Sequence, residues 1–289
     1  MRNNEKTKMY STKQTWVFFI VVGVLSIICE TIIVVKQAMG LTVFLMWIPA
    51  FAALVAGLFF RKENDKKYKL RELLGVKKTN VKYLIQAVVV PLIYIGISYA
   101  MYWIIFPNNL HIENYVSLII LAVAGIFTSL ITALGEEIGW RGFMLPALLE
   151  RVGTKKALLI SSIVWAGWHI PILISGLYMP GTPVYYKVPA FVLCIIPVSI
   201  IAGILTIKSN SVWPAAFLHA AHNNFDQSVF GNITLGDKKM FFVSETGIFT
   251  IICAWIIAIC WMVKTNIHND NELFYVSRSK QRNVSGEEK

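Results

Sequence analysis

Three short stretches of the chain place ionisable and hydrogen-bonding side chains at helical spacing, and together they could carry acid–base chemistry. The first, "TALGEEIGWRGF" (132–143), holds Glu136, Glu137 and Arg141. Glu137 and Arg141 are four residues apart, so on a helix they are neighbours and neutralise each other. Glu136 is turned about 100° from Glu137 at 3.6 residues per turn and lacks that partner. An isolated carboxylate in a dry place is suited to take a proton from water. The second, "WAGWHIP" (165–171), puts Trp165 four residues before His169. The third, "FLHAAHNNFD" (217–226), puts His219, His222 and Asn223 on nearly one face. Each has a plainer reading: a helix-end ion cluster, a histidine bonded to a neighbouring helix, polar packing between helices. Packing accounts for one polar group on the third face, but poorly for three.

The elements that carry these residues are membrane spans. Hydrophobic residues make up 56% of the chain and charged residues 15%, against roughly 25% charged in a soluble protein. Apolar runs long enough to cross a bilayer as helix are predicted at 15–36, 41–60, 81–106, 115–134, 157–175, 188–207, 211–229 and 246–263. The expected fold is therefore an all-α polytopic membrane protein of about eight transmembrane helices. Its sections are an amino-terminal part (1–114) with a basic loop at 61–80, a core (115–230), and a last span with a polar tail (231–289). Positive charge gathers in cytoplasmic loops. With the amino terminus inside, all but four of the 27 Lys and Arg residues fall on the cytosolic side, the exceptions being Lys36, Lys187, Lys238 and Lys239. Both termini are thus expected in the cytosol of a multi-pass cell-membrane protein.

The same asymmetry accounts for the net charge of +11. Basic residues between spans meet anionic lipid, so membrane lipids are expected partners and nucleic acid is not. The first span is too long for the apolar region of a signal peptide and lacks an A-x-A site, so it is read as a retained helix. Cys29, Cys194, Cys253 and Cys260 all fall in spans without a C-x-x-C pair, which speaks against disulfides and thiolate metal sites. The tail from about 267 onward is polar and is expected to be loosely ordered.

Counting inward from Arg151, Lys156 and Lys208 at 1.5 Å per residue, Glu136, His169, His219 and Asn223 lie roughly 22, 20, 16 and 22 Å deep. One shared layer opening toward the cytosol is permitted. The glycines at 135, 139 and 142 would let another helix approach closely.

The order E-E-x-x-x-R, aromatic-x-x-x-H, H-x-x-x-N on successive spans resembles the CPBP family of intramembrane proteases, the type II CAAX prenyl endopeptidases and their bacteriocin-linked (Abi) relatives. The resemblance covers about 115–230. Family members commonly have Phe where this chain has Trp165, and nothing is carried onto His222 or Asn224. It implies an intramembrane endopeptidase acting on a membrane-associated or lipidated peptide or protein that enters from the cytosol or bilayer. Glu136 with His169 would activate water, His219 and Asn223 would hold the oxyanion, and Glu137, Arg141 and Trp165 would support the site. The family is often described as metalloprotease, and zinc could be held by Glu136, His169 and His219. The H-E-x-x-H signature is missing, and metal-free hydrolysis without a cofactor is favoured. Two other classes fit less of the pattern: a non-catalytic immunity or binding protein, and a transporter with a polar midplane site.

Overall fold

A computed structural model describes residues 9–59 and 69–265. The first part of the basic loop (61–68) and the tail from 267 lie outside these residues. The chain is an all-α polytopic membrane protein. Six of its described helical segments are long and apolar enough to cross a bilayer.

Helix α1 (Thr12–Lys36) starts at a capping box, in which the Ser11 hydroxyl accepts from the Gln14 amide and the Gln14 side chain accepts from the Ser11 amide. These bonds satisfy two of the donors that a helix start leaves open. Helices α2 (Thr42–Phe59), α3 (Leu70–Leu73) and α4 (Val81–Ile105) follow. Helix α5 (Tyr115–Glu137) is capped by Asn114, whose side chain accepts from the amides of Val116 and Ser117.

The sequence reading ended the fourth span at 134. The helix instead continues through a π-helical segment, Ile138–Met144, into α6 (Leu145–Val152), giving one 38-residue path from Tyr115 to Val152. Pro146 does not stop it, because proline in a first helical turn gives up an N–H that needs no partner there. The fifth predicted span, 157–175, is two helices, α7 (Thr154–Trp168) and α8 (Ile170–Ile174), joined at His169. Helix α9 (Val184–Ser209) is largely buried. Helix α10 (Trp213–Asn223) passes into a second π-helical segment, Asn224–Phe230. Then come α11 (Lys239–Phe242) and α12 (Ile248–Lys264).

Helix α10 is central, packed against α4, α5 and α9, while α5 also packs on α2 and α7 on α9. The close approach of α5 to α2 needs two glycines. A Cβ on Gly135 would sit 2.8 Å from the Met46 carbonyl oxygen, and one on Gly139 would sit 2.6 Å from the Pro49 backbone. Such distances exclude any side chain, so these glycines set the helix spacing as expected. With that face against α2, the intervening glutamates turn toward α7 and α10.

The two ends of the bundle differ. At one end the Arg151 guanidinium donates to the Tyr10 carbonyl (2.9 Å), the Ser211 hydroxyl to the Lys77 carbonyl (2.6 Å), and the Val212 amide to the Gly75 carbonyl (2.9 Å). At the other, Leu110 pairs with Thr234 in a single antiparallel bridge, and the Leu235 amide donates to the Asn109 carbonyl (2.8 Å). The main hydrophobic core runs between them, from Phe18 through Tyr94, Trp140 and Leu205 to Ala258.

Candidate active site

Glu136, Glu137, Arg141, Trp165, His169 and His219 meet in the bundle interior, brought by α5 with its π segment, the end of α7, and α10. Glu136, Glu137 and Arg141 are essentially fully buried. As their spacing predicts, Arg141 Nη1 donates to Glu137 Oε1 at 2.9 Å. The same oxygen accepts from His219 Nδ1 at 3.0 Å. Glu137 is therefore committed to two partners.

Glu136 is held differently. Among the described residues it has no ion-pair contact, yet it is not alone: Trp165 Nε1 donates to its Oε2 at 2.8 Å. Its other oxygen makes no hydrogen bond among the described residues. The four-residue spacing placed the indole beside His169, and their ring centroids are indeed 5.6 Å apart. Spacing gave no hint of the bond to Glu136, which comes from a helix 29 residues away in sequence. Trp165 also lies 5.2 Å from the His219 ring, and the Arg141 guanidinium stands 4.1 Å over its face. One indole thus touches four of the predicted groups, with a cation–π contact occupying the guanidinium face.

His169 Nδ1 lies 2.8 Å from the Trp165 carbonyl oxygen. A carbonyl only accepts, so Nδ1 carries the proton and the neutral ring presents a lone pair at Nε2. The ring is packed between Trp168 and Phe191, with centroids at 5.0 and 5.1 Å. His219 shows the same pattern, with Nδ1 facing the Glu137 carboxylate and Nε2 left over. Glu136 is within electrostatic reach of both histidines and of Arg141. Asn223 is half-buried on α10, and its amide makes no hydrogen bond among the described residues. Among the described residues it makes no hydrogen bond to the other site residues.

The third polar face divides. His222 turns away from His219 into a second buried network that the sequence reading did not assemble. Its Nδ1 bonds the Tyr94 hydroxyl at 2.5 Å, and its Nε2 lies 3.4 Å from Glu245 Oε1. Glu245 also accepts from Tyr178, and Tyr178 accepts from Gln227 at 3.1 Å. Close by, Asp226 accepts from Tyr99 at 3.2 Å and from Ser244 at 2.9 Å. The available signals were Asp226, three residues after Asn223, and the tyrosines of α4. Asn224 leaves the site as well: its side-chain amide donates to the carbonyls of Leu121 and Ala122, both at 3.2 Å.

Zinc was the cofactor left open by the resemblance. Among the described residues no three His, Cys, Asp or Glu side chains are grouped to hold one ion. Glu136, His169 and His219 are therefore not assembled as ligands of one ion in this geometry. The groups present suit acid–base and hydrogen-bonding chemistry: one carboxylate with a free oxygen, two imidazoles oriented through Nδ1, and a free amide.

Residues 118–225, which hold all of these groups, match the Rce1-like family, described as type II CAAX prenyl endopeptidase Rce1-like. Over this segment the chain is similar to Rce1-like proteases of the CPBP family. The chain is also similar to CAAX prenyl protease 2 of Methanococcus maripaludis, with 29% identity over 136 residues. That alignment takes in 46% of this chain and 48% of the relative, so the chain spans about half the length of the curated relative it matches. The Rce1-like segment begins within α5 and ends in the second π-helical segment.

Proposed function

We propose that this chain is an intramembrane endopeptidase that hydrolyses a peptide bond of a membrane-associated or lipidated substrate without a metal. The observation that carries the reading is the unequal treatment of two adjacent glutamates. Glu137 Oε1 is bound by the Arg141 guanidinium and by His219, its Oε2 being buried without a partner, whereas Glu136 has no ionic partner among the described residues and is held by the neutral Trp165 N–H.

The roles follow from the hydrogen bonds. Water sits between the free oxygen of Glu136 and the Nε2 lone pair of His169. Its oxygen attacks the scissile carbonyl carbon while its proton passes to Glu136. The oxyanion that forms is met by the Asn223 amide and by His219 Nε2. With Nδ1 already given to Glu137, only the imidazolium form of His219 has a proton at Nε2 to donate. Glu136 then returns the proton to the amide nitrogen, the C–N bond breaks, and a carboxylic acid and an amine leave. Fixed donors aimed at an oxyanion act strongly in such a water-poor place. Entry from the cytosol fits the depth of these residues below the end of the bundle near Lys77 and Arg151. The membrane is the cell membrane, with both termini cytosolic.

The test is Glu136→Gln. The new side chain can still accept the Trp165 N–H through its carbonyl, but it cannot take a proton from water. Substrates identified by comparing membrane peptides of wild-type and variant cells are then cleaved by purified protein. Turnover should fall by about two to four orders of magnitude, the usual worth of a positioned base. Cleavage at the wild-type rate would remove Glu136 from the chemistry. Activity that is lost on chelation and restored by zinc would replace the metal-free route.

A further inference from the structure

Glu30 has no place in the chemistry above, yet it is the only acidic residue of α1 and is 5% exposed. At 1.5 Å per residue it lies about 9 Å from the Lys36 end of a 37 Å helix, roughly. A carboxylate at such a position is a functional candidate by default, with its partner to be named. Its Oε1 is buried without a hydrogen-bond partner. Two of the helices packed on α1, α2 (TVFLMWIPAFAALVAGLF) and α8 (IPILI), carry no charged residue at all. Nothing on these neighbouring helices neutralises it.

Glu30 lines a cavity of about 270 Å³ with Ile27, Thr31, Val34, Val35 and Pro171. The Thr31 hydroxyl is already used, donating to the Ile27 carbonyl at 2.7 Å. That leaves a slot with aliphatic walls and one carboxylate. Ile27 and Val35 are 65% and 70% exposed on the lipid side, so the slot opens to the bilayer. Water is a poor occupant: one molecule takes roughly 30 Å³ and needs two to four polar partners. The walls offer two acceptors, the Glu30 carboxylate and the Thr31 oxygen, and no side-chain donor.

We propose that this slot binds an alkylammonium group, an amine head on an aliphatic stem. The ammonium meets Glu30, and the methylenes lie along Ile27, Val34, Val35 and Pro171. Long cationic groups cover apolar surface in this way while placing the head on a polar partner. A lysine side chain of a membrane peptide has this chemistry, its four methylenes long enough to follow the walls. The head of an aminophospholipid carries a phosphate two carbons from its nitrogen, which no wall residue would meet. The site is separate from the catalytic groups and does not depend on their assignment. It does sit beside them in the fold: one turn earlier on α1, the Ser26 hydroxyl accepts from Trp168 at 2.8 Å, next to His169.

The test uses the purified full chain in phosphatidylcholine nanodiscs, titrated with n-octylammonium and, separately, with octanol. The readout is the midpoint of thermal unfolding. The amine should raise the midpoint in a saturable way, and octanol should not. Glu30→Gln should weaken the response at least tenfold, and Val35→Trp, which fills the slot from its exposed wall, should do the same. The second variant guards against poor folding of the first. A lysine-bearing membrane peptide should raise the midpoint where its Lys-to-norleucine form does not. A shift with phosphatidylethanolamine nanodiscs and none with the peptide would overturn the lysine assignment. Equal stabilisation by octanol, or a full amine response in both variants, overturns it.

Discussion

The buried pair of Glu137 and Arg141 gives a stability prediction with a sign that simpler accounts would miss. Both side chains are fully excluded from solvent. Glu137→Ala strands the Arg141 charge and removes the acceptor for His219 Nδ1. Arg141→Ala removes the 2.9 Å bond to Glu137 and the guanidinium that covers Trp165. Breaking a buried pair by deleting one partner costs about 3–5 kcal/mol. Against a total of about 5–15 kcal/mol for a folded domain, either change takes roughly a fifth or more of the stability. Removing both charges is different, because apolar replacement of a buried pair is often neutral or stabilising. Glu137→Leu with Arg141→Met should therefore be more stable than either alanine variant, while activity stays low because His219 has lost its orienting carboxylate. The assay heats tagged protein in detergent and measures the monodisperse fraction by size-exclusion chromatography. Wild-type midpoints for both single variants, or a double variant that loses the sum of the two, would refute the reasoning.

Three further outcomes are expected. Trp165→Phe keeps the ring against Arg141 and both histidines but loses the N–H on Glu136; a hydrogen bond to a charged group is worth about 1.5–3 kcal/mol, so turnover should drop roughly ten- to a hundredfold with folding intact, as circular dichroism and kinetics would show. Asn223→Ala removes one oxyanion donor and should lower kcat about a hundred- to a thousandfold with KM little changed. Reporters fused after Lys78 and at Asn109 should report cytosolic and outside positions respectively, and a reversed result would turn the entry side around.

Much of this arrangement could be read from residue order, and the rest could not for definite reasons. Spans such as 81–106 and 188–207 agree with α4 and α9 because an uninterrupted apolar run carries its own length. The Glu137–Arg141 contact was legible because it is local, four residues along one helix. The continuation of α5 to Val152 was hidden, since Glu136, Glu137, Arg141 and Pro146 look like the end of a span when burial against α2 and α10 is unknown. The Trp165–Glu136 bond and the His222–Glu245 contact join distant segments, and periodicity says nothing about such pairs. Tyr94 and Tyr99 counted as apolar residues in a span, and their hydroxyls gained meaning only once Asp226 and His222 stood opposite.

The different sequence separations of these contacts set an order for biosynthesis. Arg141 emerges from the ribosome four residues after Glu137, so the two can enter the bilayer as a neutral pair in one helix. Glu136 must wait for Trp165, and Glu137 waits 82 residues for His219. At roughly 5–20 residues per second, the second delay is about 4–16 s. During that time α5 is in place with one carboxylate already neutralised by its own helix. The candidate catalytic groups come together only once α10 is added, so a nascent chain halted before that point carries Glu136 without His219 and Asn223.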